Sequence, residues 1–221
     1  MEVLYEDNHI IAINKKSGEI TQGDKTGDKP LSEKIKKFIK ERDKKPGNVF
    51  LGIVHRLDRP VSGVIIFAKT SKSLQRLNKM FQKKEIYKKY WAKCTNAPVV
   101  EHQKLVHFLV KDPSRNKTSA YNIEISKGKK SELIYTHLKS NKIKNLLEVE
   151  PLTGRPHQIR AQLSSIGCVI VGDIKYGAPS ANKDKSICLH AKNLFVFALA
   201  VTAYWFVGYS IMYGGSIAGG W

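Results

Sequence analysis

A chain of 221 residues can bury one sizeable core or two small ones. Its 38 Lys and Arg stand against 19 Asp and Glu, a formal net charge of +19, so the natural partner is a polyanion such as nucleic acid, whose phosphates release counterions to cations. Cys94, Cys168 and Cys188 are odd in number, widely spaced and outside any C-x-x-C, which excludes a disulfide framework and a zinc site and fits a reducing compartment.

The start, Met1-Glu2-Val3-Leu4, has no basic segment leading into an apolar core, so no signal peptide is read and the cytoplasm is expected. Short β-type runs follow at 3–5, 10–14, 49–54, 64–68, 90–94, 121–125, 133–138, 146–152 and 169–171, separated by turn signals such as Glu6-Asp7-Asn8 and Asn141-Lys142. Leu31, Ile35, Phe38 and Ile39 mark a helix whose other face is nearly all Lys. Leu74, Leu77 and Phe81 mark a second, started by Thr70 or Ser71. A third is expected from Pro156, in its first turn, to Gly167, just past its end. Long connections with few strict βαβ alternations predict an α+β domain around a mixed, mainly antiparallel sheet. The seven histidines show no metal-ligand spacing, and His102 and His107 read as surface residues.

Three segments carry chemistry. In His55-Arg56-Leu57-Asp58-Arg59-Pro60-Val61-Ser62-Gly63 one carboxylate, Asp58, sits among cations that favour its ionised form, which suits a nucleophile or an electrostatic stabiliser. In Leu152-Thr153-Gly154-Arg155-Pro156-His157-Gln158-Ile159-Arg160, Ile159, Leu163 and Ile166 mark a buried face. His157, Arg160 and Ser164 share the neighbouring stripe, so an imidazole and a guanidinium project toward one point. Lys88-Lys89-Tyr90-Trp91-Ala92 sets two aromatics beside a basic run.

Together these segments resemble the RluA-type pseudouridine synthases, which isomerise uridine within RNA. The resemblance begins at Val3-Leu4-Tyr5-Glu6-Asp7-Asn8 and Asn14-Lys15-Lys16-Ser17-Gly18. It then runs through Val171-Gly172-Asp173-Ile174-Lys175-Tyr176-Gly177 to Leu189-His190-Ala191. It departs at Pro60-Val61, where many relatives have Asp-Thr, and at Pro156, where Thr is common.

The resemblance implies a sheet with its active site in a central cleft, no cofactor, no metal, and ribosomal or transfer RNA as partner of a monomer. It makes Asp58 the reacting carboxylate, Arg160 the arginine that pairs with it, and Tyr90 the aromatic that packs on the flipped uracil. His55, Arg56, Arg59, Arg155 and His157 are the expected substrate-binding residues, with Leu152 in the pocket wall. The RNA-binding domain that many relatives carry ahead of the catalytic domain is expected to be absent. A catalytically silent RNA-binding protein on the same fold is the alternative reading.

Residues 1–193 are therefore expected to form the catalytic domain. Residues 194–221 carry no charge and exceed the ~20 residues a bilayer-spanning helix needs, with Trp205, Tyr209 and Tyr213 placed for an interface. Gly208-Tyr209-Ser210-Ile211-Met212-Tyr213-Gly214 faintly resembles a helix of ammonium channels, so this tail is read as a membrane tether or as foreign, frameshifted or fused sequence.

Overall fold

The computed structural model describes residues 1–24, 26–141, 144–197 and 208–212. They divide into one unit of Met1–Ile86 joined by the chain from Asn193, and a second of Tyr87–Lys192.

The first unit runs β1 (Glu2–Glu6), β2 (Ile10–Lys15), α1 (Leu31–Arg42), β3 (Gly52–Ile53), β4 (Ser62–Ala68) and α2 (Ser71–Gln82). β2 lies antiparallel between β1 and β4, with Lys15 opposite Gly63, and β3 pairs with the far end of β4. Ile10 to Ile13 and Val64 to Ala68 are buried residue after residue, the mark of a β-branched strand covered on both faces. One of those faces, Ile10, Ala12, Val64, Ile66 and Ala68, packs with Leu77 of α2 and Ile86, with Leu74 and Phe81 at its margin. α1 buries Leu31, Ile35 and Ile39, whereas Phe38 is half-buried beneath the Arg42 guanidinium at 5.0 Å. The first N–H groups of α1 have no side-chain cap. Instead Leu31 and Ser32 donate to the carbonyls of Ile20 and Thr21.

The second unit runs β5 (Ile86–Cys94), β6 (His102–Asp112), β7 (Lys117–Tyr121), β8 (Lys129–Ser140), β9 (Asn145–Pro151), α3 (Gln158–Ser165) and a one-turn 3-10 helix (Ile174–Tyr176). β5, β9, β8, β6 and β7 follow one another in antiparallel register. One face carries Tyr90, Val149, Leu147, Leu133, Tyr135, Leu105 and Leu109, all buried, and α3 adds Ala161 and Leu163 to the interior. Gly167, at φ +79, ends α3 in the left-handed conformation, and the Cys168 N–H returns to the Leu163 carbonyl. β10 (Leu189–Phe197) begins in this unit and finishes in the first, where β11 (Gly208–Met212) pairs with it antiparallel.

The α+β class and the mainly antiparallel sheet expected from sequence are observed. Four expectations differ in detail. The run at 49–54 contracts to the two residues of β3, and that at 169–171 to an isolated bridge between Cys94 and Ile170. The strand expected at 121–125 lies earlier, as β7. The region of His102 and His107, a strand or loop from sequence, is the strand β6, and His107, expected at the surface, is 4% exposed and faces inward. Its Nδ1 accepts from Gln162 Nε2 at 3.0 Å and its Nε2 donates to Ser165 Oγ at 3.2 Å, so a neutral imidazole fills a core position. Burial lowers its pKa in agreement.

β10 crosses the boundary expected at Leu194, and Leu194 and Val196 are buried with the first unit's core. Of the expected apolar tail, 198–207 and 213–221 lie outside the described residues. Among the described residues no helix is long and apolar enough to cross a membrane.

α2 opens with a reciprocal cap: Thr70 Oγ1 accepts the Ser73 N–H at 3.1 Å and Ser73 Oγ accepts the Thr70 N–H at 3.2 Å. Thr70→Ala is expected to lower the unfolding free energy by about 1 kcal/mol in urea titration. An unchanged midpoint would show that packing alone sets the start of α2.

Candidate active site

Asp58 sits half-buried at the head of a turn closed by Val61 N–H to the Asp58 carbonyl at 3.0 Å. The turn is held from below. Lys15, the last residue of β2, is 0% exposed and spends all three ammonium protons on carbonyls, those of Lys16 (3.1 Å), Arg59 (3.2 Å) and Val61 (2.6 Å). Ser17 Oγ donates to the Pro60 carbonyl at 3.0 Å and Gly18 N–H to that of Arg59 at 2.8 Å. Lys15 to Gly18 thus grips three successive carbonyls just past Asp58. The sequence alone assigns this segment no task. A lysine where a strand ends against an X-Pro turn was the available signal.

The cations around Asp58 behave differently from one another. Arg59 is exposed and pairs with Asp28, with a further bond to Thr26 Oγ1 at 3.3 Å. Arg56 is exposed. His55 Nε2 accepts the Ile66 N–H at 3.1 Å and its ring lies 5.2 Å from that of Phe81, so it secures β4 and α2.

The remaining expected site residues belong to the second unit. Tyr90 is buried on β5, in register with Val149. Leu152 is half-buried, its N–H on the Glu132 carbonyl at 2.9 Å. The loop that follows is organised by Gln158, which is 4% exposed. Its Oε1 accepts from Thr153 Oγ1 at 2.8 Å and from the Arg155 N–H at 3.0 Å, and its Nε2 donates to the Glu132 carbonyl at 2.9 Å. This pull changes the expected start of α3. His157 precedes the helix in a left-handed conformation, φ 51 and ψ 22, and Arg155 is exposed. The Pro156 carbonyl receives Thr118 Oγ1 at 3.0 Å, and His157, unlike Arg160, is not part of the helical stripe.

Arg160 is 6% exposed and forks onto Asp173, 1% exposed, with Nε to Oδ2 and Nη2 to Oδ1 both at 2.7 Å. Its guanidinium carbon lies 4.9 Å from the centre of the Tyr176 ring. Asp173 follows Gly172, at φ +86, where an added Cβ would come within 2.6 Å of Asn182 Nδ2 and 2.7 Å of the Ser186 carbonyl. Asp173 and Tyr176 are the functional candidates that sequence reading passed over, although both stand in the Gly172-to-Gly177 motif. Among the described residues no cluster of three or more His, Cys, Asp or Glu could hold a metal ion.

Residues 9–165 match the RNA pseudouridylate synthase family, and the chain belongs to it. It is 36% identical over 200 residues to ribosomal large subunit pseudouridine synthase C of Rickettsia prowazekii, covering 88% of this chain and 62% of that one. To the protein of the same name from Buchnera aphidicola of Acyrthosiphon pisum it is 35% identical over 182 residues, 82% of this chain and 56% of that one. The chain therefore spans less than two thirds of these relatives' length. In fold it is similar to human RNA pseudouridylate synthase domain containing 4, with a TM-score of 0.75, 23% identity, and coverage of 88% of this chain and 84% of that one.

Burial pushes the Lys15 ammonium down to about 8, with the Glu19 and Asp58 carboxylates opposing the shift. The folded chain then holds fewer protons than the unfolded one between about 8 and the ordinary lysine value, so stability rises with pH across that window. Relative to Lys15→Met, the wild-type unfolding free energy should grow by roughly 2–3 kcal/mol between pH 7.5 and 10.5. A difference constant with pH would show that Lys15 is not buried as a charge.

Proposed function

We propose that this chain converts uridine to pseudouridine in RNA, with large-subunit ribosomal RNA favoured by the names of its relatives and transfer RNA the alternative substrate. The observation that carries the reading is the Asp58 turn: a half-buried carboxylate on backbone immobilised by Lys15, Ser17 and Gly18, within the segment that matches the family. A reacting group gains most from such pre-positioning, because its geometry is fixed before substrate arrives.

The isomerisation breaks the bond from N1 to C1′, turns the freed uracil, and joins C5 to C1′. One proton leaves C5 and one is taken up at N1, so the product is an isomer of the substrate. Asp58 acts at the ribose or the base as nucleophile or proton acceptor. Tyr90 is the surface on which the flipped uracil packs, and Arg160 the guanidinium that orients the reacting carboxylate. Arg56, Arg59, Arg155 and His157 contact the RNA backbone. Buried free thiols at Cys94, Cys168 and Cys188 support a reducing, cytoplasmic setting.

Release of tritium from RNA labelled at uridine C5 tests this directly. Asp58→Asn should release none above background while RNA affinity stays within about threefold of wild type, since only the reacting oxygen is replaced. Arg160→Lys should lower kcat by about 10- to 100-fold despite keeping the charge, because an ammonium cannot reproduce the fork. Turnover by Asp58→Asn would remove Asp58 from the chemistry. A wild-type chain that binds RNA and releases no tritium would instead be a silent RNA-binding member of the family.

A further inference from the structure

Tyr176 is 5% exposed and its hydroxyl is bonded twice. The Thr118 N–H donates to it at 2.8 Å, and it lies 2.9 Å from His157 Nδ1. The amide can only donate, so it takes a lone pair of the phenol oxygen. The single phenolic proton is then assigned to His157 Nδ1 at 2.9 Å, with the Thr118 side chain also close to that hydroxyl. Burial raises the Tyr176 pKa, so the proton is present at neutral pH. An imidazole that accepts at Nδ1 carries its own proton at Nε2.

The backbone beneath that imidazole is unusual and fixed. His157 is one of the described non-glycine residues at positive φ, a conformation few histidines adopt. Its carbonyl starts α3 by accepting the Ala161 N–H at 2.9 Å. The Tyr176 ring stands edge-on to the imidazole at 5.8 Å. The surroundings are cationic: Lys117 Nζ lies 5.5 Å over the Tyr176 ring, Lys175 Nζ rests on the Asn116 carbonyl at 3.1 Å, and Arg155 is exposed two residues before His157. An N–H donor set among such charges suits an anion.

We propose that Tyr176 is a positioning residue: its hydroxyl holds His157 as the Nε2–H tautomer, and His157 donates that proton in a hydrogen bond to a phosphate oxygen of the substrate RNA. The identity of the anion rests on the function proposed above; the tautomer does not. Because a phosphate is held alike before and during reaction, loss of this contact raises KM more than it lowers kcat.

The test uses the full chain labelled with 15N-histidine and observed by long-range proton–nitrogen correlation, the His157 signals assigned by their loss in His157→Gln. Wild type should show a bare Nδ1 and a protonated Nε2. Tyr176→Phe keeps the ring beside Arg160 and removes the phenolic proton, and should convert His157 partly or wholly to the Nδ1–H form. Saturation with a uridine-containing RNA oligonucleotide should shift the wild-type Nε2 signal. In tritium release, Tyr176→Phe and His157→Gln should each raise KM about 5- to 30-fold, and the double variant should be no worse than His157→Gln alone. A wild-type Nδ1–H tautomer, a tautomer indifferent to Tyr176→Phe, or an Nε2 signal unmoved by RNA would each overturn the proposal. If Tyr176→Phe fails to fold, the wild-type tautomer and the RNA-induced shift decide it. An RNA-induced shift in a protein that releases no tritium would support the phosphate contact and sink the isomerase reading instead.

Discussion

The buried ammonium of Lys15 is the constraint on which the placement of Asp58 depends. Pairing of β2 with β4 sets Lys15 opposite Gly63, so the turn that delivers the chain into β4 must pass the ammonium. A charge taken fully out of water is costly unless each donor is met, and here three carbonyls meet it. The dependence is mutual. An apolar side chain of the same length would fill the volume and leave the Val61 carbonyl without that donor, a loss of about 1–3 kcal/mol, while the Arg59 carbonyl would keep only the Gly18 N–H. Neither the strand end nor the turn is stable in this form without the other, and Asp58 inherits its position from both.

The second unit reaches the same end with mostly neutral groups. Gln158 ties Thr153, Arg155 and the Glu132 carbonyl together, and Tyr176 ties Thr118 to His157 while its ring lies along Arg160. The buried pair of Arg160 with Asp173 is bidentate and stacked, the geometry in which attraction and added hydrogen bonds offset desolvation. Removing Arg160 would leave the Asp173 carboxylate buried without its fork, so the pair holds the guanidinium in place.

The parts of this architecture that sequence made legible are those where residue chemistry and spacing agree. The β-branched runs of β2 and β4 and the apolar spacing of α1 and α2 announced themselves. The Asp58 and Arg160 segments stood out by composition. The parts that were hidden are polar groups doing interior work. His107 breaks the alternation of β6 because a neutral imidazole, bonded at both nitrogens, sits where an aliphatic side chain would be read. Pro156 looked like the first residue of a helix, yet the side chain of Gln158 draws the Arg155 N–H to itself and turns His157 into the left-handed region before the helix can begin. Lys15 and Asp173 were legible only as members of their motifs, since each acquires its task from a partner distant in sequence.

The same distinction sorts the cations of a strongly basic chain. Arg59 pairs with Asp28 at the surface, and Lys34, Lys36 and Lys37 of α1 pair with Glu19, Glu33 and Glu41 in solvent. Exposed pairs of this kind contribute about 0–1 kcal/mol and weaken with salt, so a phosphate can displace the carboxylate at small cost. Lys15 and Arg160 are committed to buried acceptors and cannot be exchanged in this way. The excess of charge thus divides by burial: the exposed lysines and arginines remain open to any polyanion, while Lys15 is spent on the carbonyls just past Asp58 and Arg160 on Asp173. Affinity for any polyanion should therefore vary with ionic strength, and the placement of the Asp58 turn and of the Arg160 guanidinium should not.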